Sequence, residues 1–477
     1  MPLTGRGRHL HAANEDASAH AIASRRALWL PLLVAVIAAL WFNRWVLDPA
    51  HFFFADDWSW LRRAQFGVWR DSIHLLPTKI YNDRPVGELL IRGLYEVFWL
   101  RHGAWNQVWW CLHAINVTLL VALARPWLDP YRLTLAAVLS ACWFSTLTAV
   151  HWVGAVFDLL GATLVLGTLL SYQQAVLGST RNWWWLGLSV VLHLAAIRTK
   201  EFALGMVAVL ALWDVLLLRR DDWRKRCLRL APHALLALGL LVCYAQLYRQ
   251  QAGKLEGSTY GLSLSAQGVL EGIGWYFAQA FYAFTPGSNE THTGIGLVFA
   301  AAVLMIALCS RVGIAALASA AVLMAAVLLL GKQRHPLYLY VPHFFIALAL
   351  CAPFPRRRIV GIALTLAVAL LLYWPAHTGF LRDARNFVLI KGNYSKTLYY
   401  DYARLMQHDT PASPVTIAVS EVYFDPFSWG SGDALRILHA DNTINVQVAA
   451  LQQGVDPCAA AKGSCFVEQQ GHLVRRR

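Results

Sequence analysis

The sequence predicts an all-α polytopic membrane protein of about eleven transmembrane helices, with a large first outer loop and a small α/β domain at its C-terminal end. Three observations lead there. Of 477 residues, 57% are hydrophobic and only 14% charged, where a soluble globular chain is about 25% charged. Apolar runs of about eighteen residues or more recur along the chain, centred near Val36, Leu119, Val138, Leu166, Val190, Val209, Leu238, Val303, Val322, Ala347 and Leu366. Aromatic clusters such as Trp109-Trp110 and Trp183-Trp184-Trp185 stand where those runs would meet water, the pattern of an interfacial belt.

The charges between runs orient the chain. Arg25-Arg26, Arg125 with Arg132, the cluster from Arg219 to Arg229, Arg311 and Arg356-Arg357-Arg358 all fall on the side of the N-terminus when the spans number eleven. Residues 1–26 then form a cytoplasmic segment and 27–375 the transmembrane domain. The opposite face receives a first loop at about 47–105 and the extracytoplasmic domain 376–477. A basic stretch before an apolar run also fits a signal peptide. Here the run is long and is followed by Asn43-Arg44-Trp45 rather than by a small-residue cleavage site, so an uncleaved anchor is expected. The net charge of +14 follows largely from loop anchoring, and membrane lipid, not nucleic acid, is the expected partner. Six cysteines lie in or beside apolar runs and read as small buried residues, whereas Cys458 and Cys465 flank a polar loop of the outer tail, where the sequence leaves a disulfide open.

Within the first loop, Asp57-Trp58-Ser59-Trp60-Leu61-Arg62-Arg63 reads as a helix start, and Val86 to Phe98 as an amphipathic helix of interfacial type. A similar helix is expected over Val269 to Phe284. In the tail, Asn393 to His408 and Asp433 to His439 have helical spacing, Val415 to Ser420 and Thr443 to Val448 alternate as strands, and Arg475-Arg476-Arg477 read as a solvated end.

Four segments at predicted outer mouths are polar where polarity is costly. They are Asp56-Asp57, Asn82-Asp83-Arg84-Pro85, Arg198-Thr199-Lys200-Glu201, and the stretch from Lys332 to Tyr340. Together they offer carboxylates for proton abstraction and cations for phosphate. Each also has a plainer reading. Asp57 can cap the helix behind it, Asp83-Arg84 can pair locally, Lys200 can snorkel, Arg334-His335 can anchor a span, and Tyr338 and Tyr340 can belong to the belt. His113 and Asn116, one turn apart inside a run, are expected to hydrogen-bond between helices, and His151 and Asp158 to be structural.

The order of these motifs resembles that of the GT-C superfamily of membrane glycosyltransferases, within it the protein O-mannosyltransferase-like and TMTC-type branch. The acidic pair opens the first loop, Arg84-Pro85 follows, and a run with His113 and Asn116 comes next. Thr199-Lys200-Glu201 stands for a Ser-Lys-Glu, and Arg334 through Pro342 is similar to an Arg-x-Leu-Tyr-Leu-Pro with insertions. Ala149-Val150-His151-Trp152-Val153 departs from a His-Pro-Val element by lacking the proline. The resemblance covers about 27–375 and leaves the tail unexplained. It implies a polyprenyl-phosphate-linked sugar donor, an acceptor hydroxyl on a protein, lipid or glycan, and an inverting transfer at the periplasmic face of a bacterial inner membrane. Asp56 or Asp57 would be the general base. Arg84, Arg198, Lys200, Lys332 and Arg334 would hold the lipid phosphate, with Asp83, Glu201, Tyr338 and Tyr340 completing the donor site. No cofactor is implied, and a divalent metal bridging the two aspartates stays open. A lipid-linked glycan transporter or flippase is the reading from another class, disfavoured because no inverted halves are visible. A polysaccharide ligase or polymerase would need the same residues.

Overall fold

The computed structural model describes residues 29–79, 83–178, 183–218, 222–255, 265–281, 289–330, 333–354, 367, 389–407, 409–452 and 454–476. Apolar α1 (Trp29–Phe42) ends at buried Asn43. The Asn43 amide donates to Ala39 O at 3.1 Å and to Ala141 O at 3.3 Å, so the residue that stops the first helix also ties it to a neighbour. The first loop carries α2 (Asp57–Phe66) and α3 (Pro85–Phe98), the latter opened by a proline whose fixed φ suits the first helical position. The helical domain continues with α4 (His102–Ala124), α5 (Pro130–Cys142), α6 (Phe144–His151), α7 (Val156–Leu177) and α8 (Trp183–Ile197). Then come α9 (Met206–Leu216), α10 (Trp223–Leu255), α11 (Ala266–Ala280), α12 (Asn289–Leu308), α13 (Arg311–Leu328) and α14 (Tyr340–Cys351).

Among the described residues, four stretches are long and apolar enough to cross a membrane: His102–Ala124, Val153–Leu177, Trp223–Gln250 and Arg311–Leu328. Shorter apolar helices cover Trp29–Phe42, Trp183–Ile197, Thr293–Leu308 and Pro336–Cys351. The chain is therefore an integral membrane protein. Two predicted runs differ from an unbroken span. The run near Val138 is cut at Trp143, whose backbone is extended, into α5 and α6. The run near Val209 is an eleven-residue α9 behind a 3-10 turn, Glu201–Gly205. Polar groups gather at the breaks that follow, which is where a bilayer protein tolerates irregular backbone. The run near Leu366 lies outside the described residues, as do Arg25-Arg26 and Arg356-Arg357-Arg358.

Between helices, His113 and Asn116 of α4 both reach the hydroxyl of Tyr340, at 2.8 and 3.1 Å. Asn116 also donates to Leu159 O and accepts from Thr163, which binds α4 to α7. Every polar atom of this knot lies where no water would satisfy it, so the hydrogen bonds are close to obligatory.

The tail carries α15 (Lys391–Leu405) and α16 (Asp433–His439) on a four-stranded sheet. Strands β1 (Val415–Val419), β2 (Val446–Ala450), β3 (Cys465–Gln469) and β4 (His472–Arg475) lie in the order β2-β1-β3-β4. β1 is parallel to both β2 and β3, and β3–β4 is an antiparallel hairpin. Arg475 thus belongs to a strand, opposite Phe466, rather than to a free end. Cys458 and Cys465 are joined in a disulfide.

The tail docks on α2. Trp58 stacks on Tyr399 with centroids 5.1 Å apart, and its indole N–H faces Ser395 Oγ at 3.4 Å. Ser59 donates to Asp433 at 2.8 Å, Arg62 approaches Asp433 at 3.4 Å, and Arg436 closes on the same carboxylate at 3.0 Å. Asp433 is buried, so removing it leaves Arg436 without its counter-charge in a poorly solvated place. Asp433→Ala is expected to loosen the tail from α2, and limited proteolysis should then cut between α15 and the sheet at least several-fold faster than in the intact chain.

Candidate active site

Asp56 and Asp57 sit at the very start of α2. Asp56 occupies the N-cap position yet its side chain accepts no capping hydrogen bond. Asp57 is buried, and its Oδ2 instead accepts from the Phe54 amide at 3.1 Å. The Oδ1 atom of each is buried without a hydrogen bond of good geometry. Both Oδ1 atoms converge on Gly154: a Cβ there would lie 3.0 Å from Asp56 Oδ1 and 3.2 Å from Asp57 Oδ1. A glycine at this point keeps the approach to both carboxylates free of a side chain.

Burial pushes Asp56 up from 3.8 to about 6, with the Trp60 indole and the Arg84 guanidinium pulling the other way. Burial raises Asp57 well above 3.8, the adjacent Asp56 charge adds to this, and the Phe54 and Gly154 amides and the Trp152 indole oppose it. Two carboxylates this close, both desolvated, cannot both ionise cheaply. The pair therefore gives up its two protons in coupled steps.

The predicted cations divide into two groups. Lys200 Nζ bonds both oxygens of Asp158 at 2.6 Å and stands 4.8 Å over the Tyr338 ring. Burial lowers the Lys200 pKa, and the Asp158 carboxylate opposes that shift. Arg84 lies 3.6 Å from Glu201 and 4.9 Å over the Phe157 ring. These groups share a cavity of about 350 Å³ lined by the polar Arg84, Asp158, Lys200 and Glu201 and by the aliphatic Leu241, Leu323, Ala326 and Leu330. Tyr338 and Tyr244 complete its wall. The aspartate pair does not line it; Arg84, whose charge reaches Asp56, connects the two.

Asp83 and Arg198 face each other at 3.2 Å instead of the cavity. Asp83 also accepts from the Thr78 amide and from His74, both at 2.5 Å. Burial raises its pKa, but the Thr78 amide, His74 and Arg198 outweigh burial and hold it below the ordinary value. Arg198 passes its other arm to Tyr244 OH at 3.0 Å, so this pair braces the cavity wall. Tyr340 is engaged by His113 and Asn116, and Arg334 pairs with Glu271 at 3.3 Å; neither lines the cavity. Asn82 and Lys332 lie outside the described residues. Among the described residues no cluster of three metal-ligating side chains forms. The sequence assigns Asp158 a structural place, although a lone carboxylate opening an apolar helix of 22 residues is itself a signal. Gly154 and Tyr244 carried no local signal and are brought in by the fold alone.

No protein-family model matches the chain, and no curated protein matches it. Among solved structures it is similar to ArnT from Cupriavidus metallidurans bound to undecaprenyl phosphate, with a TM-score of 0.52 at 12% identity over 90% of this chain and 86% of that one. The chain shares the fold of that protein. A second likeness, to the archaeal oligosaccharyltransferase AglB from Archaeoglobus fulgidus in complex with an inhibitory peptide and a dolichol-phosphate, has a TM-score of 0.49 at 13% identity and covers 87% of this chain and 63% of that one.

On this frame the acid pair has a measurable cost. Because the folded-state pKa of Asp56 exceeds its ordinary 3.8, the folded protein holds a proton that the unfolded chain releases. Stability therefore falls as pH rises from about 4 to about 6 and stays lower at neutral pH. Asp56→Asn is expected to raise the melting temperature at pH 7 and to change it little at pH 4, read by thermal unfolding in detergent. A cap residue would show the opposite, a loss at pH 7.

Proposed function

We propose that the protein is a glycosyltransferase that moves a sugar from a polyprenyl-phosphate donor to an acceptor hydroxyl at the outer face of the membrane. The observation that carries this reading is the mixed lining of the cavity. It offers Lys200 and Arg84 to a phosphate and aliphatic side chains to an isoprenoid chain. The likeness to a protein bound to undecaprenyl phosphate supports the same reading.

In the reaction, Asp56 takes the proton of the acceptor hydroxyl as its oxygen attacks the anomeric carbon. The bond from that carbon to the phosphate oxygen breaks, and polyprenyl phosphate leaves with the bonding pair. Its charge is met by Lys200 and Arg84, held in a dry site where such contacts are strong. Attack opposite the leaving group inverts the anomeric centre. Asp158 keeps Lys200 charged and in place when no donor is bound, and Glu201 does the same for Arg84. Asp83 and Arg198 hold the wall that carries Tyr244. Asp57 fixes the loop through Phe54. Tyr338 stands over Lys200 on the cavity wall. About eleven spans, with the site and the tail on the periplasmic side of a bacterial inner membrane, follow from the loop charges.

The test is the lipid-linked sugar pool of cells carrying the intact chain, Asp56→Asn or Lys200→Gln. Both variants are expected to abolish one surface glycan while protein level and membrane insertion stay normal, and a polyprenyl-phosphate sugar should accumulate. Unchanged glycans in both would overturn the reading. As Asp56 acts ionised, transfer measured on the purified chain should rise with pH through about 6.

A further inference from the structure

The tail sheet has a topological switch point, and the chain leaving it reaches the acid pair. From the carboxyl end of β1 the chain returns through α16 to β2 on one flank, while β3 takes the other flank. Open parallel sheets do their work at the carboxyl ends of the strands beside such a point. Here those ends are tied together: Glu468 of β3 accepts from the Ser420 amide at 2.7 Å and from the Tyr394 hydroxyl at 2.6 Å. The loop after β1 then lays Phe424 and Trp429 against Phe54 and Ala55, the two residues before Asp56.

Both rings are fixed from behind. Lys391 stands 4.8 Å over the Phe424 ring and pairs with Glu421. The Trp429 indole N–H donates to Tyr423 O at 2.9 Å, and the two rings lie 5.2 Å apart. Gly430, Ser431 and Gly432 follow with φ of 56°, 56° and 108°, a sharp turn into Asp433, which holds α2 through Ser59. Trp152 stacks on Phe54 at 6.1 Å and completes the cover. Ala55 itself has a φ of 52°, a region that side chains rarely adopt, so its turn depends on what packs around it. Phe54 is 1% and Ala55 3% exposed.

We propose that the loop after β1 belongs to the active site, with Phe424 and Trp429 as positioning residues that hold the turn presenting Asp56 and Asp57 and keep water from it. The catalytic meaning of this rests on the transferase reading above. The charged groups of the loop have partners: Lys391 and Glu421 hold each other, Asp425 accepts from the Phe427 and Ser428 amides, and Asp433 meets Ser59, Arg62 and Arg436. From the other elements, Arg84 and the Trp60 indole act on Asp56, and the Trp152 indole acts on Asp57. Beside Trp152, His151 is turned to His51, and His335 lies 5.7 Å from the Trp152 ring. The loop therefore works on the pair through desolvation, the largest cause of its raised pKa.

The experiment is thermal unfolding of the full chain in detergent from pH 4 to pH 8, for the intact chain, Trp429→Ala, Phe424→Leu and Trp429→Phe. In the intact chain the melting temperature falls as pH rises to about 6. Opening the cover moves the folded pKa toward its ordinary value, so in Trp429→Ala and Phe424→Leu the fall should end about one pH unit lower. Trp429→Phe, which keeps a ring, should restore the intact profile. The rise of transfer with pH should move down by the same interval. A loss of melting temperature equal at every pH, with the fall ending where it does in the intact chain, is the mark of a merely structural contact and would overturn the proposal. So would a movement that persists when Asp56→Asn and Asp57→Asn are both present, because it would belong to Asp425, which burial also raises to about 6. The unfolding profile involves no turnover, so its failure is separable from failure of the transferase reading, which the cellular glycans test.

Discussion

The bond between Lys200 and Asp158 is the interaction on which the rest of the site depends. An ammonium held by both oxygens of one carboxylate, each at 2.6 Å, fastens the turn after α8 to the head of α7. Both partners are buried, so breaking the pair by removing one would cost on the order of 3–5 kcal/mol, most of it the penalty of a stranded charge. That dependence also makes the pair useful. In the proposed function, a lysine already desolvated and already held in place would meet an incoming phosphate with little reorganisation, which is how preorganised sites gain their strength. The 3-10 turn from Glu201 to Gly205 then sets Glu201 beside Arg84, and the charged lining of the cavity is complete.

The acid pair stands in contrast. Lys200 and Asp158 satisfy each other, whereas Asp56 and Asp57 repel each other, lack good partners on Oδ1, and sit against a glycine. Such an arrangement lowers stability, and folds retain it mainly where chemistry needs a group of raised basicity. The docked tail helps hold it. Trp58, the residue after the pair, is gripped by Tyr399 and Ser395, so the tail stiffens the same helix that presents the carboxylates.

Much of this was legible in the sequence, for reasons that differ by residue. Apolar runs and Arg-Lys placement expose the helical membrane class because the bilayer imposes length and charge rules on the text itself. Helices α2, α3 and α11 were readable from caps and amphipathic spacing. Breaks such as Trp143 were not, since extended backbone inside an apolar run leaves no compositional trace. Strands β3 and β4 escaped because the eye stops at the closing arginines, although Gln470-Gly471, both at positive φ, form a tight hairpin turn. In the site, Lys200, Glu201 and Arg84 stood out as charges at span ends. Asp83 and Arg198 stood out equally and turn to each other, a pairing across more than a hundred residues that only the fold reveals.

The most direct test of the central claim is a cryo-electron microscopy structure of the chain with undecaprenyl phosphate. The account predicts the phosphate within hydrogen-bonding reach of Lys200 Nζ and the Arg84 guanidinium, with the isoprenoid chain running along Leu241, Leu323 and Ala326. A phosphate bound away from both cations, or a lipid lying outside this cavity, would contradict it.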